Sequence, residues 1–407
     1  MQRTEVVIIG AGPGGLVLGN ALIQAGIDCL IVEKHSREHV EQRARAGVIE
    51  HRTALTLERL GLADGLLTKG QSQSSCEFRY PGGFFVLQYG ALTGGAVHKV
   101  YPQQLLVREM IGAYLKAGGD LLFETAAESV AMHDDTAAVV TVASTSGATA
   151  GAGTAAERRD VHCTIVAGCD GRRGTSARAL PRAVVQEYRT SYPYRWLTVL
   201  AGTAPSCPHL LYALHHSGFA GQMPRTSQQT RLYLQYSRGE RPLAWGEDRI
   251  WSQVECRLAA EDGPPVAPGP ILERTLLAMD SCVRAPMQHG PLFVVGDAAH
   301  VLPPAGGKGM NLAVADAAEL AAGIIARFSG SDGGQRLARY SATRLPAVWQ
   351  ALAFADWLLH TVNLPNDRPR REAAFEMRLR VARLAALRDS LPLATWFART
   401  YVGLPDP

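Results

Sequence analysis

Long apolar runs are missing from this chain. No stretch of about 18 uninterrupted apolar residues occurs. The most apolar segment, 312–328, is broken by Asp316, Glu319 and Arg327. A membrane span is therefore not expected, and Met1-Gln2-Arg3-Thr4 is too short a head for an export signal. Charge of one sign is scarce too: 41 Lys and Arg stand against 37 Asp and Glu, a net +4 over 407 residues. So mild a balance does not call for nucleic acid, although it leaves room for a basic face that meets an anionic cofactor. Paired cysteines are absent. The seven thiols, at 29, 76, 163, 169, 207, 256 and 282, form no C-x-x-C, so neither a zinc site nor a redox dithiol is signalled. Cys207, His209, His215 and His216 match no metal-ligand spacing. Reduced thiols in a cytoplasmic protein fit this usage. No internal repeat is present.

What is present begins at residue 6. Val6-Val7-Ile8-Ile9 is a short apolar run. Gly10, Gly12 and Gly15 follow as G-x-G-x-x-G, with Gly14 between them, and then a helix-like segment from Leu16. Strand, tight turn and helix in that order is the context a dinucleotide-binding turn requires, because glycines let the backbone approach a pyrophosphate at the helix N-terminus. A second strand, Cys29-Leu30-Ile31-Val32, ends in Glu33, about 20 residues on, where an acid takes the ribose hydroxyls. No second G-x-G-x-x-G occurs.

Helix and strand signals alternate through the first third. Leu105, Leu106, Met110, Ile111, Tyr114 and Leu115 share one face of a predicted helix over 103–116. Strands are expected at 121–124, 137–143 and 161–167, with a small-residue hairpin tip over 144–156. From 178 to 288 helical periodicity fades and strand-like pieces appear at 197–200, 210–214 and 231–236. Leu292–Asp297 then returns to a buried strand ending in Gly-Asp. Helices are expected at 310–328, 335–359 (kinked at Pro346) and 371–387. The fold class is α/β: a Rossmann-type nucleotide-binding domain from 1–177 and 289–330, an inserted sheet-containing substrate domain over 178–288, and a C-terminal helical region over 331–407.

Three motifs stand in order: Gly10–Gly15, Cys169-Asp170-Gly171 with Ser176 and Arg178, and Gly296-Asp297-Ala298-Ala299-His300. Together they resemble the class A flavoprotein aromatic hydroxylases, in particular the branch acting on 4-hydroxybenzoate. Arg43-Ala44-Arg45-Ala46-Gly47-Val48, Met287-Gln288-His289-Gly290, Val301-Leu302-Pro303-Pro304 with Lys308-Gly309-Met310-Asn311, and Tyr401-Val402-Gly403-Leu404-Pro405 carry that nearer likeness. The resemblance implies FAD as cofactor, held by Gly10, Gly12, Gly14, Gly15, Glu33, Arg43, Arg45, Gly47, Val48, Gln103, Asp170, Asp297, Met310 and Asn311. It also implies NADPH, with NADH as the alternative, docking transiently as reductant. Lys34, His35 and Arg37 form either a 2′-phosphate site or a charged loop. The implied reaction hydroxylates 4-hydroxybenzoate, or an analogue such as an amino-hydroxybenzoate, with O2 as co-substrate through a flavin C4a-hydroperoxide. Lys308 is followed by Gly309, so no P-loop is read there.

By the same resemblance Tyr212 and Tyr401 form the relay at the phenolic oxygen, and the Pro304 carbonyl faces the ring. Arg225 and Tyr233 hold the substrate carboxylate, and Arg231 lies near flavin and substrate. Several positions depart from the pattern. A carboxylate-binding serine is Met223, which cannot donate; one hydrogen bond to an ionised group is worth about 1.5–3 kcal/mol. The relay histidine is Gln73, a pocket asparagine is Leu214, and a histidine near the flavin is Arg173. A homodimer is implied, without nucleic-acid or membrane partners. A related FAD oxidoreductase or halogenase acting on another phenol, and a flavin-binding protein without catalysis, remain the alternatives. The lysine and the W-x-W-x-I of tryptophan-type halogenases are not found.

Overall fold

Val6, Val7, Ile8 and Ile9 are buried, as a strand flanked by parallel neighbours and covered on both faces must be. In the computed structural model, which describes residues 2–43, 47–133, 136–145, 157–259, 266–331, 334–365 and 369–404, the strand Gln2–Ile9 lies parallel to Cys29–Val32 and Arg158–Gly168. Asp120–Leu122 and Leu292–Val294 extend this parallel set on either side. Gln288–His289 closes one edge antiparallel, and Thr125–Met132 with Ala138–Ser144 branch from Arg158–Gly168. The predicted tip over 144–156 lies outside the described residues from 146 onward.

The helix Pro13–Gln24 packs between Gln103–Lys116 and Lys308–Ser329. Asn20 ties it to the first of these by donating to the Met110 carbonyl at 3.0 Å. Residues 305–329 form a helical segment long and apolar enough to cross a membrane by length and composition. Its Asp316 is fully buried against His300 and Arg344, and its Leu312, Val314, Leu320 and Ile324 belong to the core of the parallel sheet.

The second sheet has eight strands in the order His300–Val301, Ile271–Ala285, Gln186–Ala201, Gln229–Gln235, Ala220–Thr226, Leu210–Ala213, Cys76–Tyr80, Gly83–Leu87. Two of them come from residues 76–87, which the expected 177/178 boundary assigned to the nucleotide-binding part. The short strand Leu210–Ala213 would otherwise be an open edge, and Cys76–Tyr80 pairs with it in parallel. The helix Glu247–Leu258 covers one face of this sheet through Ile250, Trp251, Val254 and Leu258, within the region where no helix was expected. At the C-terminal end the predicted 335–359 helix is two, Gln335–Ala338 and Tyr340–Val362, with Pro346 inside the second. Arg370–Asp389 and a further helix, Leu391–Tyr401, complete the chain. This helical layer closes over the other face of the second sheet, where Phe78, Tyr212, Phe219, Phe354, Phe397 and Tyr401 share one apolar cluster.

Candidate active site

Four motif residues follow directly from the carboxyl ends of neighbouring parallel strands, the place where open α/β sheets bind ligands. Gly10 follows Gln2–Ile9, Glu33 follows Cys29–Val32, Cys169 follows Arg158–Gly168, and Val295-Gly296 follows Leu292–Val294. Backbone bonds hold these turns side by side: Gly10 N to Val32 O, Cys169 N to Ile9 O, and Val295 N to Gly168 O, at 2.7–2.9 Å. Gly10 has φ +105°, and a Cβ there would lie 2.5 Å from the Cys169 carbonyl. A Cβ on Gly15 would strike the Gly10 carbonyl, and one on Gly14 would press Val295 at 3.1 Å. At Gly12, by contrast, a Cβ would meet nothing within 4 Å. Gly12 caps Pro13–Gln24 without any side-chain bond, so open space faces the amide end of that helix. This is a cradle for a pyrophosphate, and it fits FAD.

Glu33 is buried and accepts from Ala11 N and His35 N, both at 2.9 Å. Each carboxylate oxygen keeps a lone pair for a ribose hydroxyl. Asp297 sits half-buried in the turn Gly296–Ala298. Asp170 gives its carboxylate to Ser176, accepting from its amide at 2.9 Å and from its hydroxyl, and so orders the loop to Thr175–Ala179. Burial pushes its carboxyl up, against those bonds. Gln103 opens its helix, and Arg43 lines a cavity of about 470 Å³ with His35, His39 and Gln42. Arg45 lies outside the described residues. The helix that Met310 and Asn311 were expected to begin starts at Lys308, capped by Gly307 without a side-chain bond. The Asn311 side chain is used internally: it donates to Val48 O and Gly307 O and accepts from Glu50 N. It thereby fixes Val48 beside the helix N-terminus.

Across from this cradle, one face of the second sheet carries the other set. Tyr212 is paired with Gly221, and Gly221 with Tyr233, so the three share a face. Met223 follows Gly221 by two and shares it as well, whereas Arg225 sits at an irregularity between Pro224 and Thr226. The Tyr212 and Tyr401 hydroxyls are 2.8 Å apart. Burial holds both phenols well above their ordinary range, so the pair stays protonated and either oxygen can donate. Arg225 is buried, which disfavours its charge, while Tyr233 beside it acts in the opposite sense. A Cβ on Gly47 would lie 3.2 Å from Arg225 Nη1. The guanidinium therefore reaches the loop that was expected to contact flavin. Arg231 is buried and paired with Glu273 at 3.2 Å. Met223 is buried in the apolar cluster, and the Pro304 carbonyl accepts from Gly307 N at 3.1 Å.

A family model described as an FAD binding domain matches residues 3–355. The p-hydroxybenzoate hydroxylase of Acinetobacter baylyi is 33% identical over 405 residues, covering 99% of this chain and 96% of that protein. This chain is a class A flavoprotein aromatic hydroxylase. Among solved structures, p-nitrophenol 4-monooxygenase from Pseudomonas putida superposes with a TM-score of 0.80 at 18% identity, covering all of both chains. The anhydrotetracycline hydroxylase OxyS from Streptomyces rimosus gives 0.76 at 21% identity, over 100% of this chain and 77% of its own. FAD is thus the hydroxylase's cofactor and monooxygenation its reaction class.

The hydroxylase anchors Tyr401 through residues its sequence did not single out for that role. Lys308, buried at the start of the helix Lys308–Ser329, donates to Glu50 at 2.8 Å and to the Thr400 and Tyr401 carbonyls. Burial raises the Glu50 carboxyl even so. Replacing Lys308 by methionine leaves that carboxylate buried without its cation, which is expected to cost about 3–5 kcal/mol. A thermal or urea melt checks this, and Lys308→Met with Glu50→Gln should recover much of the loss.

His98, also fully buried, has Nε2 at 2.8 Å from the Tyr401 carbonyl, so Nε2 carries the hydrogen. Its Nδ1 lies 3.2 Å from the Tyr89 hydroxyl, which donates to the Gln73 carbonyl at 2.6 Å. Burial, then the nearby Lys308 ammonium, lowers His98 from 6.5 to about 3, against the pull of the Tyr401 carbonyl. Between those values the unfolded chain binds a proton that the folded chain refuses. The stabilisation is therefore complete above pH 6.5 and falls as pH drops toward 3, by up to a few kcal/mol. Melts of His98→Gln should show a flatter pH dependence across that window; an unchanged slope contradicts the assignment.

Proposed function

We propose that this hydroxylase acts on 4-hydroxybenzoate or a ring-substituted analogue such as an amino-hydroxybenzoate, with NADPH or NADH as reductant. The observation that carries the reading is the Tyr212–Tyr401 hydroxyl pair at 2.8 Å on the sheet face that also holds Tyr233, with the buried Arg225 guanidinium close enough to Tyr233 to feel it. The relative from Acinetobacter supports it; a further relative, an aklavinone 12-hydroxylase from Streptomyces purpurascens at 26% identity, bears the name of a different substrate.

Arg225 binds the carboxylate in a planar two-point contact that lysine cannot copy, and Tyr233 donates to the same group. Tyr212 takes the phenolic oxygen, with Tyr401 behind it. Free phenols ionise near 10, so a hydroxyl pair that donates to a forming phenolate eases proton loss and sends electron density to the carbon beside it. Met223 and Leu214, both buried, keep water from the ring. The bound flavin supplies activated oxygen. Overall, the arene, O2, NADPH and a proton give the hydroxylated arene, water and NADP⁺. Incubation with FAD, NADPH and a panel of hydroxybenzoates tests the reading. The expected result is acid-stimulated NADPH consumption with a product one oxygen heavier; no stimulation by any acid refutes it.

A further inference from the structure

Between the two tyrosines of the site the sheet carries no side chain. Tyr212 and Tyr233 lie on strands on either side of Gly221, about 9–10 Å apart across two strand spacings. The empty place is not open: a Cβ on Gly221 would fall 2.7 Å from Phe219 Cζ. The Phe219 ring, from the residue before the strand Ala220–Thr226, thus reaches forward and lies over the glycine. It is buried, stacked on Trp196 at 4.5 Å and tilted toward Tyr212 at 6.4 Å. Trp196 is pinned in turn by its indole N–H, which donates to Asn363 Oδ1 at 2.7 Å.

We propose that Gly221 and Phe219 set the width of the substrate slot, and that the substrate ring carries a substituent besides its hydroxyl and carboxylate. This rests on the function proposed above. With glycine at 221, Phe219 settles onto the sheet. Any side chain at 221 points to the same face as Tyr212 and Tyr233 and meets the ring tip. Trp196 is stacked against the ring on one side, so the ring must rise off the sheet toward Tyr212, Tyr233, Tyr401 and Ala305, which share its cluster. A planar ring with bare edges does not need a ring lowered onto the sheet in this way. A ring bearing one amino, hydroxyl or methyl group does.

The test compares kcat/KM for 4-hydroxybenzoate, 3-amino-4-hydroxybenzoate and 3-methyl-4-hydroxybenzoate, together with binding read from flavin fluorescence. The wild-type enzyme should use the substituted acids at least as well as the bare one. Gly221→Ala should lower the substituted acids by roughly 10- to 200-fold, the scale of one misplaced methyl, and change the bare acid little. Adding Phe219→Leu to Gly221→Ala, which shortens the obstructing tip, should restore them; Phe219→Leu alone keeps the test open if Gly221→Ala folds poorly, since it should spare the substituted acids. An equal ratio of substituted to bare acid in wild type and Gly221→Ala overturns the inference while the proposed function stands. If no acid binds or turns over, both fall.

Discussion

Arg225→Ala is expected to cut kcat/KM for the aromatic acid by about 30- to 5,000-fold, because truncating one partner of a buried charged contact costs roughly 2–5 kcal/mol. The loss should fall mainly on KM. The carboxylate is bound alike in ground and transition states, so its removal lifts both. Arg225→Lys should recover little: an ammonium is a point charge and cannot meet two oxygens in one plane. With Met223 where the family pattern has a serine, the proposed anchoring falls more heavily on Arg225 and Tyr233. A change confined to kcat, with KM unaltered, would mean that the acid does not sit on Arg225.

Tyr401→Phe should show the opposite pattern. In the proposed site Tyr401 reaches the phenol only through Tyr212, whose hydroxyl lies 2.8 Å away, so KM should hold while kcat falls by about 10²- to 10⁴-fold, the usual worth of a placed proton-transfer group. Tyr212→Phe should fall in the same range, and the double variant should cost little more than either single one, since the pair acts as a unit. The bound acid's ultraviolet spectrum checks the cause. The phenolate band should appear at lower pH in the wild-type enzyme than in either variant. With Gln73 in place of a titrating histidine, and His98 neutral down to about 3, that band should rise without a separate step near pH 6–7.

The cradle was legible because its signals are local. A glycine after an apolar run, and an acid after the next, occupy the ends of adjacent parallel strands, as Gly10 and Glu33 do, while Gly12 caps the following helix and Gly15 lies in its first turn. Tyr212, Tyr401, Arg225 and Tyr233 were legible only through resemblance; as isolated residues they read as ordinary core or strand positions. What stayed hidden depends on contacts between distant segments. The strands 76–80 and 83–87 join the second sheet across more than 120 residues, a pairing that no local periodicity reports. Ala220–Thr226 holds a glycine and a proline that mask its alternation. Lys308 drew notice as part of a family motif and as a failed phosphate-loop lysine, yet it binds Glu50 and the end of the last helix. Asp316 did leave a trace, one of two acids in an apolar helix; its partners His300 and Arg344 became evident only once the chain was folded. They hold its carboxyl below the usual range although burial works against ionisation, and its second oxygen receives the Gly296 amide at 3.1 Å, next to Asp297.

The central claim is an orientation: carboxylate at Arg225, hydroxyl at Tyr212. A crystal structure of the FAD-loaded enzyme soaked with 4-hydroxybenzoate tests it most directly. It should show both carboxylate oxygens about 3 Å from the Arg225 guanidinium and the phenolic oxygen at hydrogen-bond distance from Tyr212. An acid bound with its carboxylate toward Tyr212, or away from this sheet face altogether, would contradict the account.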